Sequence, residues 1–459
     1  MRRAEVWVGL LLGIATFAAY MIGSNRSLGY DAAASFANFI ATPSIWDAFA
    51  VRSVIPTIPV TQVATNDHVL LSLLSHFIYS ATGTRSEVVY RLLPALAAGA
   101  TVGVSTAALA RRFGILAGIC AGLFIATDPL FVDNGRDIRG YSLAALGSVI
   151  ATLILSSEAG RWGRQPELLP IYGEVSGAAG RRGRLIAYAL VMGLAISAQL
   201  FAGVVLLCHV AWMLTRRSRP ELVRLAPAWF VSLLIGVAAN ANIQFIEFTQ
   251  HGLPAPMFYP TFPSDLVFFL LGAPVLLPIG LWLSSAGLGL WLQRKQPWFW
   301  AASAVLAAVV LVLWLVLRPA FLYPRFFIFL VPACAYLMAA AIARWWVLAP
   351  VVVLGAVAAV VSQAAGYTED PLALPQAAAA VARIHESGQR ACVIHSDEQV
   401  LSAYTTDFTV VTRPEQLHDC DAVVVVSWGV DLGLRDEAAR EFPRLTTLQA
   451  YYPAVVLER

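Results

Sequence analysis

The chain has 459 residues, of which 59% are hydrophobic and 13% are charged, and its formal net charge is +3. Soluble domains carry about twice this share of charged residues, so these proportions exclude an ordinary soluble protein. Apolar runs of about 20 residues, long enough to cross a bilayer core, recur down to about residue 365, after which the composition is that of a soluble domain. The sequence predicts a polytopic α-helical membrane protein with a small C-terminal α/β domain, and no nucleic-acid partner.

The first apolar segment, residues 6–23, follows Arg2 and Arg3 and predicts a retained transmembrane helix with a cytoplasmic N-terminus. Residues 20–24 make a poor signal-peptide cleavage site. Asp31 comes a few residues later, so we expect its carboxylate at the membrane–water boundary, well placed to activate a polar acceptor beside a lipid-borne donor. The alternative is that Asp31 only caps a short surface helix, since Asp is a favoured N-cap residue.

Residues 25–89 are predicted to form an external loop that carries interfacial helices. The apolar stretch at 69–81 is too short for a comfortable span. Placing it on the membrane surface puts most loop arginines in the cytoplasm, whereas making it a span reverses this positive-inside bias. Asp67 and His68 are secondary candidates for the site, and a divalent cation is a candidate cofactor, but two adjacent residues do not make a metal site.

On this basis the sequence predicts eleven spans, with the N-terminus inside and the C-terminus outside the bacterial cytoplasmic (inner) membrane. The membrane domain covers residues 1–365 and the extracytoplasmic domain covers 366–459. A single tilted helix around Gln199, in place of two short spans, is the alternative, and it would reverse everything after it. The predicted spans are 6–23, 90–110, 114–131, 140–157, 185–199, 201–215, 225–242, 265–291, 298–317, 326–343 and 346–365.

Polar residues gather at the predicted outer face, where costly groups in a membrane protein usually serve function. Arginine is suited to gripping phosphate, because its planar guanidinium stays charged and donates paired hydrogen bonds. The alternative is that the loop arginines pair with neighbouring aspartates or extend to lipid headgroups. The candidates are Asp133, Arg136, Asp137, Arg139 and Tyr141 in one loop, and Arg325 at the end of the segment 318–325.

The C-terminal segment reads as an α/β unit. Short β-branched runs at 391–395, 408–411 and 422–428 predict strands, and the stretches 376–386 and 432–441 predict helices. No glycine-rich phosphate loop follows the first strand, so we expect no nucleotide site. Cys392 and Cys420 fall on the predicted oxidising side, which permits a disulfide between them.

These motifs, taken in order, resemble a known family. An acid follows the first helix, and the later motifs are Gly83-Thr84-Arg85-Ser86-Glu87, Tyr90-Arg91-Leu92-Leu93-Pro94, Arg139-Gly140-Tyr141 and Pro324-Arg325-Phe326. Over residues 1–345 the pattern is similar to GT-C glycosyltransferases of the protein O-mannosyltransferase and aminoarabinose-transferase kind (glycosyltransferase family 39). It departs from that pattern in two places: the usual Asp-Glu is Asp31-Ala32, and the usual His-Pro-Pro is His68-Val69-Leu70.

The resemblance implies transfer of a sugar from a polyprenyl-phosphate carrier to an extracytoplasmic acceptor, with inversion. Asp31 would be the base that takes the acceptor proton. Arg139, Arg136 and Arg325, with Tyr141, would bind the leaving phosphate. Asp133 and Asp137 would be the secondary candidates. The alternatives are a transporter or flippase for a lipid-linked substrate, which should show repeated halves, and a non-catalytic membrane scaffold that would tolerate loss of Asp31 and Arg139.

Overall fold

The structure is a computed structural model, and it describes most of the chain. Some predicted features lie outside the described residues: Asp67, most of the segment 318–325, and part of the span predicted at 265–291. The described residues are 2–49, 68–160, 178–215, 219–249, 262, 266–267, 276–317, 323–364, 373–426, 432–442, 444–447 and 455–458.

The chain is mostly helical, and its helices are numbered here in chain order. They are α1 (Arg2–Met21), α2 (Tyr30–Ser35), α3 (Val69–Thr82), α4 (Glu87–Phe113), α5 (Ile115–Thr127), α6 (Pro129–Gly135), α7 (Tyr141–Gly160), α8 (Ala178–Ala198), α9 (Gly203–Leu214), α10 (Arg219–Thr249), α11 (Leu276–Gln293), α12 (Pro297–Leu311), α13 (Leu330–Arg344), α14 (Ala349–Gln363), α15 (Leu374–Glu386), α16 (His395–Leu401) and α17 (Leu432–Glu441). The prediction of a polytopic helical protein with a C-terminal α/β part is confirmed.

Among the described residues, five helices are long and apolar enough to cross a membrane, and a sixth span results if α5 and α6 are counted together. These helices expose large apolar side chains, for example Trp7 and Leu11 on α1, as lipid-facing helices do. Several predicted spans coincide with shorter apolar helices, so the number eleven stays a prediction. The five are Arg3–Met21, Glu87–Phe113, Leu222–Ala241, Pro297–Leu315 and Trp346–Gln363.

The chain divides into two compact units. The first contains Met1–Ile22, Leu92–Ala241 and Phe248–Ala365, and therefore most of the membrane-capable helices. The second joins Gly23–Arg91 and Asn242–Glu247 to Gly366–Arg459. The segment after the first helix thus groups with the C-terminal segment, an association that the linear order of the sequence does not indicate.

In the first unit, α1 and α4 pack through two G-x-x-x-G motifs. A Cβ added at Gly13 would lie 2.7 Å from the carbonyl oxygen of Gly99, and one added at Gly103 would lie 2.9 Å from that of Gly9. Small residues let membrane helices approach this closely. The pairing of Gly9 with Gly103 and Gly13 with Gly99 makes the two helices antiparallel.

The span predicted at 114–131 is not one straight helix, because α5 and α6 meet at a bend of 62°. Pro129 lacks a backbone N–H, and the carboxylate of Asp128 caps α6 by accepting from the N–H of Phe131 at 3.0 Å. Two carbonyls freed by the break receive side-chain donors instead. The hydroxyl of Tyr20 donates to Ala126 O at 3.0 Å, and the amide of Gln363 donates to Thr127 O at 3.0 Å. Helix breaks in membranes require such replacement donors.

Helices α8 and α9 separate at Gln199, which has an extended backbone. The hydroxyl of Tyr188 on α8 lies 3.0 Å from Nδ1 of His209 on α9, so the two helices fold back on each other as a hairpin. A single tilted helix is therefore not present here, while the two short spans stay a prediction. Nε2 of His209 lies 2.9 Å from the hydroxyl of Thr152 on α7, which ties a third helix to the pair.

In the second unit, the C-terminal segment forms a five-stranded sheet in the order β2-β1-β3-β5-β4. Strands β1, β2 and β3 are parallel, and β5 is antiparallel to both of its neighbours. The three predicted strands are present, although β1 ends at Ile394 and His395 begins α16. The last two strands were not predicted. The strands are β1 (Ala391–Ile394), β2 (Thr409–Val411), β3 (Ala422–Val425), β4 (Arg444–Thr447) and β5 (Val455–Glu458).

The sheet and α17 enclose an apolar core. A disulfide joins two residues of this core, Cys392 and Cys420, whose Cα atoms lie 5.9 Å apart. The sequence permitted this bond, and the structure contains it. A cross-link over 28 residues restricts the unfolded chain and is typically worth about 3 kcal/mol. The other three cysteines, Cys120, Cys208 and Cys334, are not in disulfides.

Candidate active site

Three predicted site residues from two distant motifs meet in the first unit. The guanidinium carbon of Arg139 lies 5.7 Å from the centre of the Tyr141 ring. That of Arg325 lies 6.0 Å from the same ring centre and 4.4 Å from the ring of Tyr323. Cations within about 6 Å of an aromatic face are attracted by its quadrupole. Two positive groups are therefore concentrated around one ring.

Local packing explains why Tyr141 takes this position. It is the first residue of α7 and is fully buried, and its ring stacks with that of Phe326 at 6.5 Å. Phe326 in turn stacks on Phe201, in the short turn between α8 and α9, at 4.9 Å. Pro324 begins the 3-10 turn Pro324–Phe327 that carries Arg325. Aromatic packing thus joins the loop before α7 to the segment before α13.

The two arginines differ in access. Arg139 is 1% exposed, whereas Arg325 is half-buried. Arg325 is therefore the side chain of the pair that a ligand reaches more directly, whereas Arg139 is buried. In a site of low effective dielectric, both charges act on a bound anion more strongly than they would in water.

Arg136, which was predicted to bind phosphate, makes contacts of another kind. Its Nη2 donates to Ile22 O at 2.6 Å, and its Nε donates to Tyr20 O at 3.4 Å. These carbonyls close the C-terminus of α1, where a cation is favoured by the helix dipole. The observed contacts assign Arg136 to the end of α1, and its part in phosphate binding stays a prediction.

The two loop aspartates, Asp133 and Asp137, are both accessible. Asp133 is exposed on α6, and Asp137 is half-buried with its carboxylate accepting from the N–H of Ile138 at 2.9 Å. Both remain secondary candidates, since accessible carboxylates beside the loop arginines can still act as bases.

Asp31 lies in the first turn of α2, in the second unit, and is half-buried. Gly29 occupies the N-cap position, so the alternative that Asp31 is the N-cap is wrong. A carboxylate in the first turn is still favoured by the helix dipole. The chain before it is held by the buried Arg91, which donates to the carbonyls of Ser24 at 2.6 Å and Ser27 at 2.8 Å.

The structure describes His68 but not Asp67. His68 is buried and occupies the N-cap of α3, without a side-chain capping hydrogen bond. Among the described residues, no group of three or more His, Cys, Asp and Glu side chains is placed to hold a metal ion. The part of the chain that the structure describes therefore offers no ready-made metal site.

No family model and no curated protein matches the sequence. Solved structures do match along nearly the whole chain. ArnT from Cupriavidus metallidurans in the apo state has a TM-score of 0.62 at 15% identity, with 99% of this chain and 98% of ArnT covered. The same protein bound to undecaprenyl phosphate has a TM-score of 0.60 at 15% identity, with 98% and 97% covered.

The archaeal oligosaccharyltransferase AglB from Archaeoglobus fulgidus, in complex with an inhibitory peptide and a dolichol-phosphate, also matches. Its TM-score is 0.51 at 14% identity, with 92% of this chain and 69% of AglB covered. ArnT and AglB are both GT-C proteins. This chain has the GT-C fold. The resemblance inferred from its motifs is thereby confirmed for the fold, and a GT-C chain of this kind is a multi-pass membrane protein.

In this GT-C chain, sequence reasoning missed several buried polar contacts. The hydrogen bonds among Thr152, Tyr188 and His209 lie on predicted spans, and a polar residue inside a span was the available signal. Glu87 and Arg91 were noted only as parts of motifs, and Tyr404 was not noted. Their contacts join segments that are far apart in the sequence, so no local sequence pattern predicts them.

Proposed function

We propose that this protein is an inverting glycosyltransferase that moves a sugar from a polyprenyl-phosphate carrier to an extracytoplasmic acceptor. The observation that carries the proposal is the meeting of Arg139 and Arg325 at Tyr141. Two guanidinium groups around one buried ring form a positive centre suited to a phosphate. The solved proteins that share the fold support a lipid phosphate as its occupant, because ArnT binds undecaprenyl phosphate and AglB binds a dolichol-phosphate.

The reaction assigns one task to each group. An acceptor hydroxyl oxygen attacks the anomeric carbon of the donor, and its proton passes to the carboxylate of Asp31. The bond between the anomeric carbon and the phosphate oxygen breaks, and its electron pair leaves with the polyprenyl phosphate. Arg325 and Arg139 stabilise the negative charge that grows on that oxygen. A phosphate is a good leaving group, so no separate general acid is required.

Tyr141 serves this arrangement by holding the arginines. Its ring is fully buried between the two motifs, and the flat face offers each guanidinium a surface to lie against. We assign Arg136 to holding the end of α1 beside this loop, in keeping with its bonds to Tyr20 O and Ile22 O. Apolar helices would hold the prenyl chain of the carrier laterally.

The proposal includes the location of the reaction. We infer that the protein resides in the bacterial cytoplasmic membrane, with the N-terminus inside and the C-terminal segment outside. The arginine distribution supports this orientation. Reporter fusions at Arg112 and after Arg459 test it, with a cytoplasmic signal expected for the first and an external one for the second.

The function is tested with purified protein in proteoliposomes. Radiolabelled undecaprenyl-phosphate sugars are supplied one at a time, together with an envelope extract as the source of acceptors. We expect one donor to release undecaprenyl phosphate while its label appears on the acceptor with the opposite anomeric configuration. Movement of an intact donor across the bilayer, with no release of undecaprenyl phosphate, would support the transporter instead.

A further inference from the structure

The segment from Thr84 to Arg91, which carries two of the sequence motifs and has no part in the proposed chemistry, contacts both the C-terminal segment and the chain just before Asp31. Arg85 donates to the carbonyls of Ser402 at 3.2 Å and Ala403 at 2.9 Å. Arg91, at the other end of the segment, donates to the carbonyls of Ser24, Arg26 and Ser27. All of these residues belong to the second unit.

Tyr404 sits between these two sets of bonds. Its hydroxyl oxygen accepts from the backbone N–H of Leu28 at 2.9 Å, three residues before Asp31. The same hydroxyl is hydrogen bonded to the side chain of Glu87. A carboxylate only accepts, so the hydroxyl donates to Glu87 and thereby directs its lone pairs toward Leu28. The C-terminal segment is thus hydrogen bonded to the chain just before the proposed base.

Burial raises the pKa of Tyr404 well above its ordinary value, and the charge of Glu87 raises it further. The hydroxyl therefore keeps its proton at physiological pH and remains able to donate to Glu87. The direction of the two hydrogen bonds is fixed: Leu28 N–H to Tyr404, and Tyr404 O–H to Glu87.

The helix that carries Asp31 depends on outside support. Helix α2 has only six residues, and helices this short are not stable on their own in water. On its C-terminal side, the ring of Phe36 packs edge-on against that of Tyr90 at 4.9 Å, and Ile40 O lies 3.0 Å from Nδ1 of His76. On its N-terminal side, the hydroxyl of Tyr404 accepts from the N–H of Leu28.

We propose that Tyr404, oriented by Glu87, is a positioning residue that sets the place of Asp31 through the backbone of Leu28. This inference rests on the proposed function, in which Asp31 is the base. It gives the C-terminal segment a defined part in catalysis: it touches no reacting atom, but it fixes the geometry of the group that does. Small displacements of a catalytic group are costly, since proton transfer requires hydrogen-bond distance.

The test separates binding from turnover. Tyr404→Phe keeps the ring and removes the hydroxyl. With the undecaprenyl-phosphate sugar that is active in the panel, we expect kcat to fall about tenfold, while the Kd for undecaprenyl phosphate, measured by tryptophan fluorescence, changes less than twofold. His418→Ala, which removes the contact between the exposed His418 and Glu441 in the same C-terminal segment, is the matched control and should keep the wild-type kcat. A wild-type kcat for Tyr404→Phe would overturn the inference.

A second pair of variants keeps the inference testable if Tyr404→Phe does not fold. Glu87→Gln retains an oxygen that accepts from Tyr404, whereas Glu87→Ala does not. We expect Glu87→Gln to stay within twofold of the wild-type kcat and Glu87→Ala to be slowed about tenfold. Equal rates for the two variants, whether both fast or both slow, would contradict positioning through this hydrogen bond.

A double mutant separates this inference from the proposed function. If Tyr404 acts through Asp31, Tyr404→Phe should cause no further loss of rate in an Asp31→Asn background, because coupled residues are not additive. Additive losses would overturn the positioning role and leave Asp31 as the base. Wild-type activity of Asp31→Asn alone would instead overturn the proposed base, whatever Tyr404→Phe does.

Discussion

The guanidinium of Arg325 lies over the ring of Tyr141, 6.0 Å from its centre. The two residues are far apart in the sequence, yet the ring of Tyr141 also lies 5.7 Å from the guanidinium carbon of Arg139. This contact turns two separate motifs into one positive centre, and the proposed function depends on it.

Loss of Arg325 should weaken donor binding itself. Arg325→Ala removes a charge-assisted contact to phosphate worth roughly 1.5–3 kcal/mol, so the Kd for undecaprenyl phosphate should rise by about tenfold to a hundredfold. Arg325→Lys should rescue binding only in part, because an ammonium cannot reproduce the guanidinium fork. Tryptophan fluorescence in detergent measures both. Arg344→Ala, at the end of α13, is the control, and wild-type affinity in Arg325→Ala would contradict the assignment.

The close packing of α1 and α4 should make Gly13 sensitive to any side chain. A Cβ there meets Gly99 O at 2.7 Å and Gly103 Cα at 3.2 Å, so Gly13→Ala must push the helices apart. We expect a loss of about 1–3 kcal/mol in stability, seen as a lower melting temperature in detergent. Gly183→Ala is the matched control, since a Cβ at Gly183 in α8 meets no atom within 4 Å. Equal melting temperatures for the two variants would show that the contact is not tight.

The stability of the break between α5 and α6 should depend on the side chains that donate to its freed carbonyls. Tyr20→Phe and Gln363→Leu each remove one donor from a carbonyl freed at the break, at a cost of roughly 1 kcal/mol in a membrane protein. Their effects on thermal unfolding should be similar. Ser362→Ala, beside Gln363, removes only a hydroxyl that bonds within its own helix and should be close to neutral. A neutral result for both Tyr20→Phe and Gln363→Leu would mean that the carbonyls do not need these donors.

The titration of Glu398 should make the stability of the protein depend on pH. Burial raises its pKa from 4.5 to about 7, and the residue is 2% exposed. A carboxyl whose pKa is higher in the folded than in the unfolded state binds its proton on folding. The protonated group therefore contributes to the free energy of unfolding below pH 4.5, and this contribution is lost as the pH rises through about 7. The total loss is up to about 3 kcal/mol. Glu398→Gln lacks this titration, so it should melt higher than wild type at pH 8, by a margin that shrinks at pH 5. A pH-independent difference would contradict the raised pKa.

The sequence predicted most of what depends on local pattern. Long apolar runs marked the membrane helices, and β-branched runs marked the three parallel strands. It did not predict β4, because Arg444–Thr447 is polar, and it did not predict β5, although Val455–Glu458 begins with two β-branched residues. The span at 114–131 was predicted as continuous although Asp128-Pro129, a capping residue before a proline, was visible as a helix start.

The candidate site was predictable only where its residues belong to local motifs. Arg139, Tyr141 and Arg325 were recognisable because their motifs are local, and the structure brings them together. Arg136 belongs to the same loop, but its bonds to the end of α1 join residues more than a hundred positions apart. Tyr404 and Leu28, which are hydrogen bonded, lie 376 residues apart in the sequence. Such contacts follow from tertiary packing, which no single segment encodes.

The most direct test of the proposed function is transfer by Asp31→Asn. This change keeps the shape of the side chain but removes its basicity, and loss of a general base typically slows a reaction about a hundredfold to ten-thousandfold. Transfer from the active undecaprenyl-phosphate sugar should fall in this range, while the Kd for undecaprenyl phosphate stays near its wild-type value. Transfer by Asp31→Asn at close to the wild-type rate would contradict the account and make Asp133 or Asp137 the next candidate for the base.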